Sequence, residues 1–155
     1  MSAGTDVGSV FALLYAGHMV GDHWIQTNAQ ALTKGRPGWV GRLACARHVT
    51  TLTATKAAFL TALALVTGWH PHLVALIVAL VVDALSHYWA DRRTTLAGLA
   101  GLVERVGING KTTFYALGSP RLGRDDNPSL GTGAYALDAS WHIGWLAVAA
   151  LISSL

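Results

Sequence analysis

The fold is indicated most clearly by residues 73–91, which read LVALIVALVVDALSHYWAD. Leu73 to Val82 is an unbroken run of Leu, Val, Ala and Ile, and the whole stretch approaches the roughly 20 apolar residues that a membrane-spanning helix needs. Two ionisable residues, Asp83 and His87, follow the run. They are four residues apart, so in a helix they share one face. The stretch therefore predicts a membrane helix that carries a polar pair.

The rest of the 155-residue chain has the composition of a membrane protein. Hydrophobic residues make up 52% and charged residues 12%, against about 25% charged residues in a typical soluble domain. The apolar segments that are candidates to span the membrane cover about 8–30, 40–69, 72–90 and 133–155. We therefore predict a single all-α integral membrane domain over 1–155, folded as a four-helix transmembrane bundle. A soluble four-helix bundle with an unusually apolar core is the alternative.

The basic residues predict how these segments are oriented. Of the 11 lysines and arginines, all but Lys56 lie in or beside two connections, the one between segments one and two and the one between segments three and four. The positive-inside rule places both connections in the cytoplasm and both termini outside. The first ten residues lack the basic region of a cleavable signal peptide, so we expect the first segment to remain as a helix. The chain is predicted to be a multi-pass protein of a bacterial inner membrane.

The connection over 92–131 is the longest in the chain. Apolar residues recur near its start at steps of mainly three and four: Leu96, Leu99, Leu102, Val103 and Val106. This spacing predicts a short amphipathic helix lying on the cytoplasmic surface of the membrane. The remainder, which includes Asp125-Asp126-Asn127-Pro128, is predicted to be irregular. Loops of this length often act as lids, and we expect that role here.

Polar pairs at helical spacing lie in or beside the apolar segments. They are His18 with Asp22, Asp83 with His87, and Asp138 with His142. A further histidine, His48, comes early in the second segment. Since consecutive segments run in opposite directions, all four segments would place these groups in the cytoplasmic half of the membrane. Ionisable groups at membrane depth are costly and usually mark function, and facing helices of a bundle often hold metals with such carboxylates and imidazoles.

We therefore predict a divalent metal centre with one or two ions. The expected ligands are His18, Asp22, His48, Asp83, His87, Asp138 and His142. A divalent cation would supply the positive charge that carboxylates need in a low-dielectric interior. Mixed nitrogen and oxygen ligands favour Zn²⁺, with Fe²⁺ or Mn²⁺ as alternatives. Alternatively, Asp83 or Asp91 orients a ligating histidine without binding the metal, and the centre then holds one ion instead of two.

A metal centre that opens to the cytoplasmic leaflet predicts a metal-dependent hydrolase, because a bound metal activates water. Asp91 and Gln26 continue two of the polar helix faces by one turn and are expected to position the attacking water as catalytic groups. The basic residues expected at the mouth of the site are Lys34, Arg92, Arg93 and Lys111. They favour an anionic substrate, such as a phospholipid or an isoprenoid phosphate. The lipid bilayer is the expected partner, and a nucleic acid is not.

Three other functions remain open at this stage. The first is a metal binder or transporter without catalysis, although the outer half of the segments is apolar apart from Lys56. The second is a b-type haem protein with paired histidines, which leaves the Asp beside each His unexplained. The third is a small interaction protein of the membrane, in which a metal or His/Asp hydrogen bonds only hold the helices together.

The polar residues also follow a known pattern. It consists of His18-x-x-x-Asp22-x-x-x-Gln26, then Lys34, a single His48, Asp83-x-x-x-His87 and Asp138-x-x-x-His142. Together these residues resemble a family of small bacterial and phage membrane proteins that is classed as a domain of unknown function. The resemblance covers most of the chain. It implies an integral membrane protein and does not imply an activity.

Overall fold

The structure, a computed structural model, describes residues 3–119 and 132–155, with side chains described from residue 7 onward. Every regular element in these ranges is helical. In chain order the elements are α1 (Ala3–Val20), a π-helical turn (Gly21–Ile25), α2 (Asn28–Thr33), α3 (Gly38–Thr67), α4 (Leu73–Asp91), α5 (Thr94–Arg105), α6 (Lys111–Tyr115) and α7 (Gly133–Ile152). The prediction of an all-α protein is confirmed for the described residues.

Among the described residues, three helices are long and apolar enough to cross a membrane: α3 with 30 residues, α4 with 19 and α7 with 20. At about 1.5 Å per residue, each reaches approximately the thickness of the hydrocarbon layer. Large apolar side chains point outward from them, and Leu65 and Val66 of α3 are 81% and 84% exposed. A water-facing surface rarely carries many such side chains, so these helices fit a membrane protein. The helix α1 is not among the three, and its insertion in the membrane stays a prediction.

The segment expected to form one helix over about 8–30 is instead divided into three elements. The helix α1 ends at Val20 and is followed by the π-helical turn, after which Gln26 adopts an extended conformation (φ −61°, ψ 128°). Thr27 then starts α2 with a capping box: its side chain accepts from the N–H of Gln30, and the Gln30 side chain accepts from the N–H of Thr27. This reciprocal cap satisfies two free N–H donors and favours a new helix over a continuation of α1.

The long helices pack so that polar and apolar side chains lie at opposite ends. The helix α1 packs against α3 and α7, and α4 packs against α7 and α3. One end holds a buried apolar cluster: Val10, Leu14, Leu60, Leu63, Trp69, Ala79, Leu146, Ala149 and Ala150. Toward the other end, each helix carries a buried histidine: His18, His48, His87 and His142. The order of residues along each helix thus brings all four histidines to one level.

The described part of the connection between α4 and α7, residues 92–119 and 132, contains two helices. The predicted short helix is present as α5, which buries Leu96 and Ala100, and α6 is an additional element that the sequence analysis did not predict. Glu104 of α5 accepts hydrogen bonds from the N–H and the hydroxyl of Thr112, which anchors α6 and lowers the pKa of that carboxyl below its usual range. Arg121 and Arg124, which are among the basic residues of this connection, and residues 125–128, which were predicted to be irregular, lie outside the described residues.

Candidate metal centre

Four imidazoles, one from each long helix, meet at the polar end of the helix assembly. The rings of His87 and His142 are stacked with their centroids 4.0 Å apart. The ring of His18 lies 5.4 Å from His87 and 5.2 Å from His142, and the ring of His48 lies 5.2 Å from His87. All four side chains are buried. The helices therefore bring together the histidines that the sequence analysis assigned to a metal centre.

Two carboxylates, from Asp22 and Asp91, contact these imidazoles. Asp22 lies in the π-helical turn, where its Oδ1 is 3.0 Å from His48 Nε2 and its Oδ2 is 3.4 Å from His18 Nε2. Asp91 is the last residue of α4, and its Oδ2 is 3.2 Å from His87 Nε2 and 3.3 Å from His48 Nε2. A π-helical turn widens the helix locally and often occurs at functional sites. Here it carries a carboxylate of the cluster.

The separations between these atoms match those between metal ligands. Five distances link Asp22 Oδ1, Asp91 Oδ2 and the Nε2 atoms of His48 and His87, and they range from 3.0 to 3.8 Å. Ligands arranged as a tetrahedron at about 2.0–2.1 Å from a Zn²⁺ ion are separated by about 3.3–3.4 Å. Each carboxylate oxygen therefore lies close enough to His48 and His87 to share one cation with them, and the same separations also suit hydrogen bonds between these groups.

The hydrogen bonding of the same atoms supports this interpretation. Asp22 Oδ1 and Asp91 Oδ2 are buried, yet neither accepts a well-aligned hydrogen bond from any described residue. Both lie 3.0–3.3 Å from imidazole nitrogens, which can satisfy them only when those imidazoles carry their proton at Nε2. A buried carboxylate oxygen without a donor is strongly unfavourable, and a bound cation would remove that cost. The donor atoms present therefore fit a metal ion with nitrogen and oxygen ligands.

Two groups of three residues have ligand atoms close enough to hold an ion. One comprises Asp22, His48 and His87, and the other comprises His87, Asp91 and His142. The groups share His87, so that residue is central to either arrangement. Within the described ranges, the Nδ1 atoms of His18, His48 and His87 are buried without a hydrogen-bond partner. These imidazoles are held through packing of their rings and through contacts at Nε2, such as the 3.1 Å contact between His48 and His87.

Three of the expected ligands belong to neither ligand group: His18, Asp83 and Asp138. Asp83 accepts a 2.6 Å hydrogen bond from the ammonium of Lys56, and both side chains are buried. It lies one helical turn from His87, at the level of Lys56, so it pairs with that lysine instead of joining the ligand groups. Asp138 lies at the edge of the centre, where its Oδ1 is 3.5 Å from His142 Nε2 and its side chain is 41% exposed.

The two residues expected to act on water are placed differently from each other. Asp91 was expected to position water, but its carboxylate belongs to a ligand group and also forms an ion pair with Lys34 (2.8 Å). Gln26 lies where the chain leaves the π-helical turn, and its Nε2 is buried without a partner among the described residues. It lines a cavity together with His18 and Asp22. Gln26 thus lies beside that cavity with an amide donor that no described residue uses.

The basic residues expected at the rim of the site make different contacts. Arg92 donates to the carbonyls of Lys34 and Arg36, and this contact ties the segment after α2 to the end of α4. Since its guanidinium is used in this way, Arg92 is not available to a substrate. Arg93 is exposed and donates to the carbonyl of Ala31 (3.2 Å). Lys111 and Phe114 both belong to α6, and the Lys111 ammonium lies over the Phe114 ring, 5.2 Å from the ring centroid.

Two open cavities give access to the centre. The first, of about 320 Å³, is lined by His18, Asp22, Gln26 and His142. The second, of about 470 Å³, is lined by Asp91, Arg93 and Tyr115. Three residues line both cavities: Lys34, Tyr135 and Asp138. Tyr135 was missed by the sequence analysis, although its position three residues before Asp138 places it on the same helix face.

The comparisons with known proteins identify no relative of this chain. No family model, curated protein or solved structure matches the chain. The resemblance to the family of small membrane proteins therefore stays an expectation, and the function has to be argued from the geometry of the centre.

Proposed function

We propose that this protein is a membrane-embedded, metal-dependent hydrolase whose centre is formed by His18, Asp22, His48, His87, Asp91 and His142. The observation that carries the proposal is the cluster of two buried carboxylate oxygens, on Asp22 and Asp91, that lie 3.0–3.2 Å from the Nε2 atoms of His48 and His87. Zn²⁺ is favoured by the ligand set, with Fe²⁺ or Mn²⁺ as alternatives. When bound, such an ion supplies an activated water and polarises the bond to be cleaved.

The groups around the centre support an anionic substrate. Lys34 lies at the wall shared by the two cavities, and Arg93 lines the larger one. Both cations can attract a phosphate group of a phospholipid or isoprenoid phosphate. Gln26 offers a free amide N–H₂ in the smaller cavity, where it can hold water or a substrate oxygen. The polar residues thus divide into those that hold the metal and those that hold the substrate.

The proposed setting is a four-helix transmembrane bundle formed by α1, α3, α4 and α7 in a bacterial inner membrane. The support comes from the three apolar helices and from the lysines and arginines. All of these except Lys56 lie in or beside the first and third connections, next to the ends of the segments that carry the His/Asp pairs. The positive-inside rule then orients the centre toward the cytoplasmic leaflet and both termini outside. The buried apolar cluster at the opposite end argues against a path for ions across the membrane, because Val10, Leu14 and Leu146 close it.

A second candidate is a membrane protein in which the metal only holds the helices together. The observation that favours it is that each of the four longest helices contributes one histidine to the cluster. A haem is not favoured, since the Nε2 atoms of His48 and His87 are only 3.1 Å apart. A haem would have to lie between the two imidazoles that ligate its iron.

The first experiment measures metal. Protein purified in detergent is analysed by elemental mass spectrometry for metal ions per chain, alongside the variants His87→Ala and His70→Ala. Since His87 belongs to both ligand groups, His87→Ala is expected to lose most of the metal. His70 lies in the exposed turn before α4, so His70→Ala is the matched control and should keep it. A folded wild-type protein without metal after purification and zinc addition would refute the proposal.

The second experiment tests hydrolysis. Metal-loaded protein in detergent is incubated with phosphatidic acid or farnesyl diphosphate, and the release of inorganic phosphate is followed. The wild-type protein is expected to release phosphate, and Gln26→Ala is expected to keep the metal while losing rate. Metal binding without hydrolysis of any anionic lipid would favour the second candidate, in which the ion has only a structural role.

A further inference from the structure

An apolar groove lies beside the metal centre, between α5 and α7. Its volume is about 280 Å³, and its walls are formed by Leu96, Leu99, Ala100, Val103, Lys111, Leu137, Ser140 and Trp141. The α5 side of the groove contributes only apolar side chains. Trp141 is fixed by a hydrogen bond from its Nε1 to Ser86 Oγ (2.9 Å), which gives the α7 side a defined shape.

The groove neighbours the larger polar cavity at the metal centre. Leu96 lines both spaces, so the apolar groove and the polar cavity meet at that side chain. Within the polar cavity, Lys34 is paired with Asp91 (2.8 Å), Asp138 adds a second carboxylate, and Arg93 offers positive charge. A single molecule that extends from one space to the other would meet a cationic, hydrogen-bonding environment at one end and hydrocarbon at the other.

We propose that this groove binds one hydrocarbon tail of an anionic lipid, whose phosphate headgroup lies in the polar cavity near Lys34 and Arg93. The inference rests on the proposed function in that it identifies the substrate of the same centre as an amphiphile. An inserted protein helix is a poorer occupant, because a helix about 10–12 Å in diameter does not fit a groove of about 280 Å³. Arg93, which forms no ion pair with a carboxylate of the described residues, favours an anionic headgroup over a neutral one.

The test locates the tail directly. Protein in nanodiscs of phosphatidylcholine receives a trace of phosphatidic acid with a photoreactive diazirine at the end of one tail. After illumination, the labelled peptides are mapped by mass spectrometry. Labelling is expected within 96–103 and 137–141, and excess unlabelled phosphatidic acid is expected to reduce it at least tenfold, whereas excess diacylglycerol should not. Saturable competition separates a bound lipid from the lipids that surround any membrane protein.

Two tryptophan substitutions in α5 provide the matched comparison. Leu99→Trp places a larger side chain in the groove and is expected to remove most of the labelling. Leu102→Trp makes the same change at a side chain that is 54% exposed on the same helix, and it should label like the wild type. If Leu99→Trp does not fold, the peptide map of the wild-type protein still decides the matter.

Labelling confined to outward-facing positions such as Leu65 or Leu85 would overturn the proposal. The proposal would also be overturned if a second copy of the chain, or a part of this chain outside the described residues, were found to cover the groove. The labelling is repeated after metal removal with a chelator, and metal content is measured on the same samples. Specific labelling of a protein that never binds metal would support the lipid site and refute the hydrolase, whereas metal without labelling would refute the lipid site alone.

Discussion

Lys56 and Asp83 form a buried ion pair whose partners lie on neighbouring helices, one turn or more away from the metal centre. The spacing of Asp83 and His87 correctly indicates a shared helix face, but it does not indicate which neighbour each side chain meets. Lys56 follows His48 by about two turns on α3, and Asp83 precedes His87 by one turn on the antiparallel α4. Their meeting depends on how far the two helices are shifted along each other, which the sequence pattern does not encode.

Breaking this pair is expected to destabilise the protein strongly. Lys56→Met leaves the Asp83 carboxylate buried without a partner, and the free energy of unfolding should fall by about 3–5 kcal/mol. The double variant Lys56→Met/Asp83→Leu removes both charges and should recover most of the loss. Unfolding in detergent, followed by circular dichroism during titration with sodium dodecyl sulfate, measures both changes. A double variant that is no more stable than Lys56→Met would show that the pair is not the source of the loss.

Among the elements, the close contact between α1 and α3 determines where Asp22 and His18 lie. Gly17 allows it, because a Cβ at that position would lie 3.0 Å from Lys56 Cα. The division of the first predicted helix at Gln26 could have been recognised from Thr27 and Gln30, which form a capping-box pattern. The hydrophobic pattern of 8–30 gives no such break, since the polar residues after the π-helical turn continue at helical spacing.

Gly17→Leu is expected to push α1 away from α3 and to reduce metal binding at the centre, since His18 and Asp22 move with α1. Gly144→Leu is the matched control, because no described atom lies within 4 Å of a Cβ at that position on α7. Metal content per chain and the temperature of unfolding are measured for both variants. We expect a loss of at least half the metal in the first variant and none in the second; equal effects would contradict the role given to the α1–α3 contact.

For the whole molecule, the charge pattern and the alternating direction of the segments were enough to predict that histidines of all four long helices lie at one level. The reason is that each segment has its polar residues at the end nearest the basic connections. Two features could not be predicted from that pattern. The shared position of His87 in both ligand groups depends on side-chain packing, and the groove beside α5 depends on how that helix folds back against α7.

Removal of the metal is expected to weaken the whole helix assembly, because ligands come from α1, α3, α4 and α7 or the turn that follows α1. At a free-metal concentration about 100 times the dissociation constant, binding adds about 2.7 kcal/mol of stability. For a chain of this size that corresponds to a rise of about 5–10 °C in the unfolding temperature. Tryptophan fluorescence during heating, with and without a chelator, measures the shift. The shift should be absent in His87→Ala and intact in His70→Ala; an unchanged shift in His87→Ala would mean that the ion binds elsewhere.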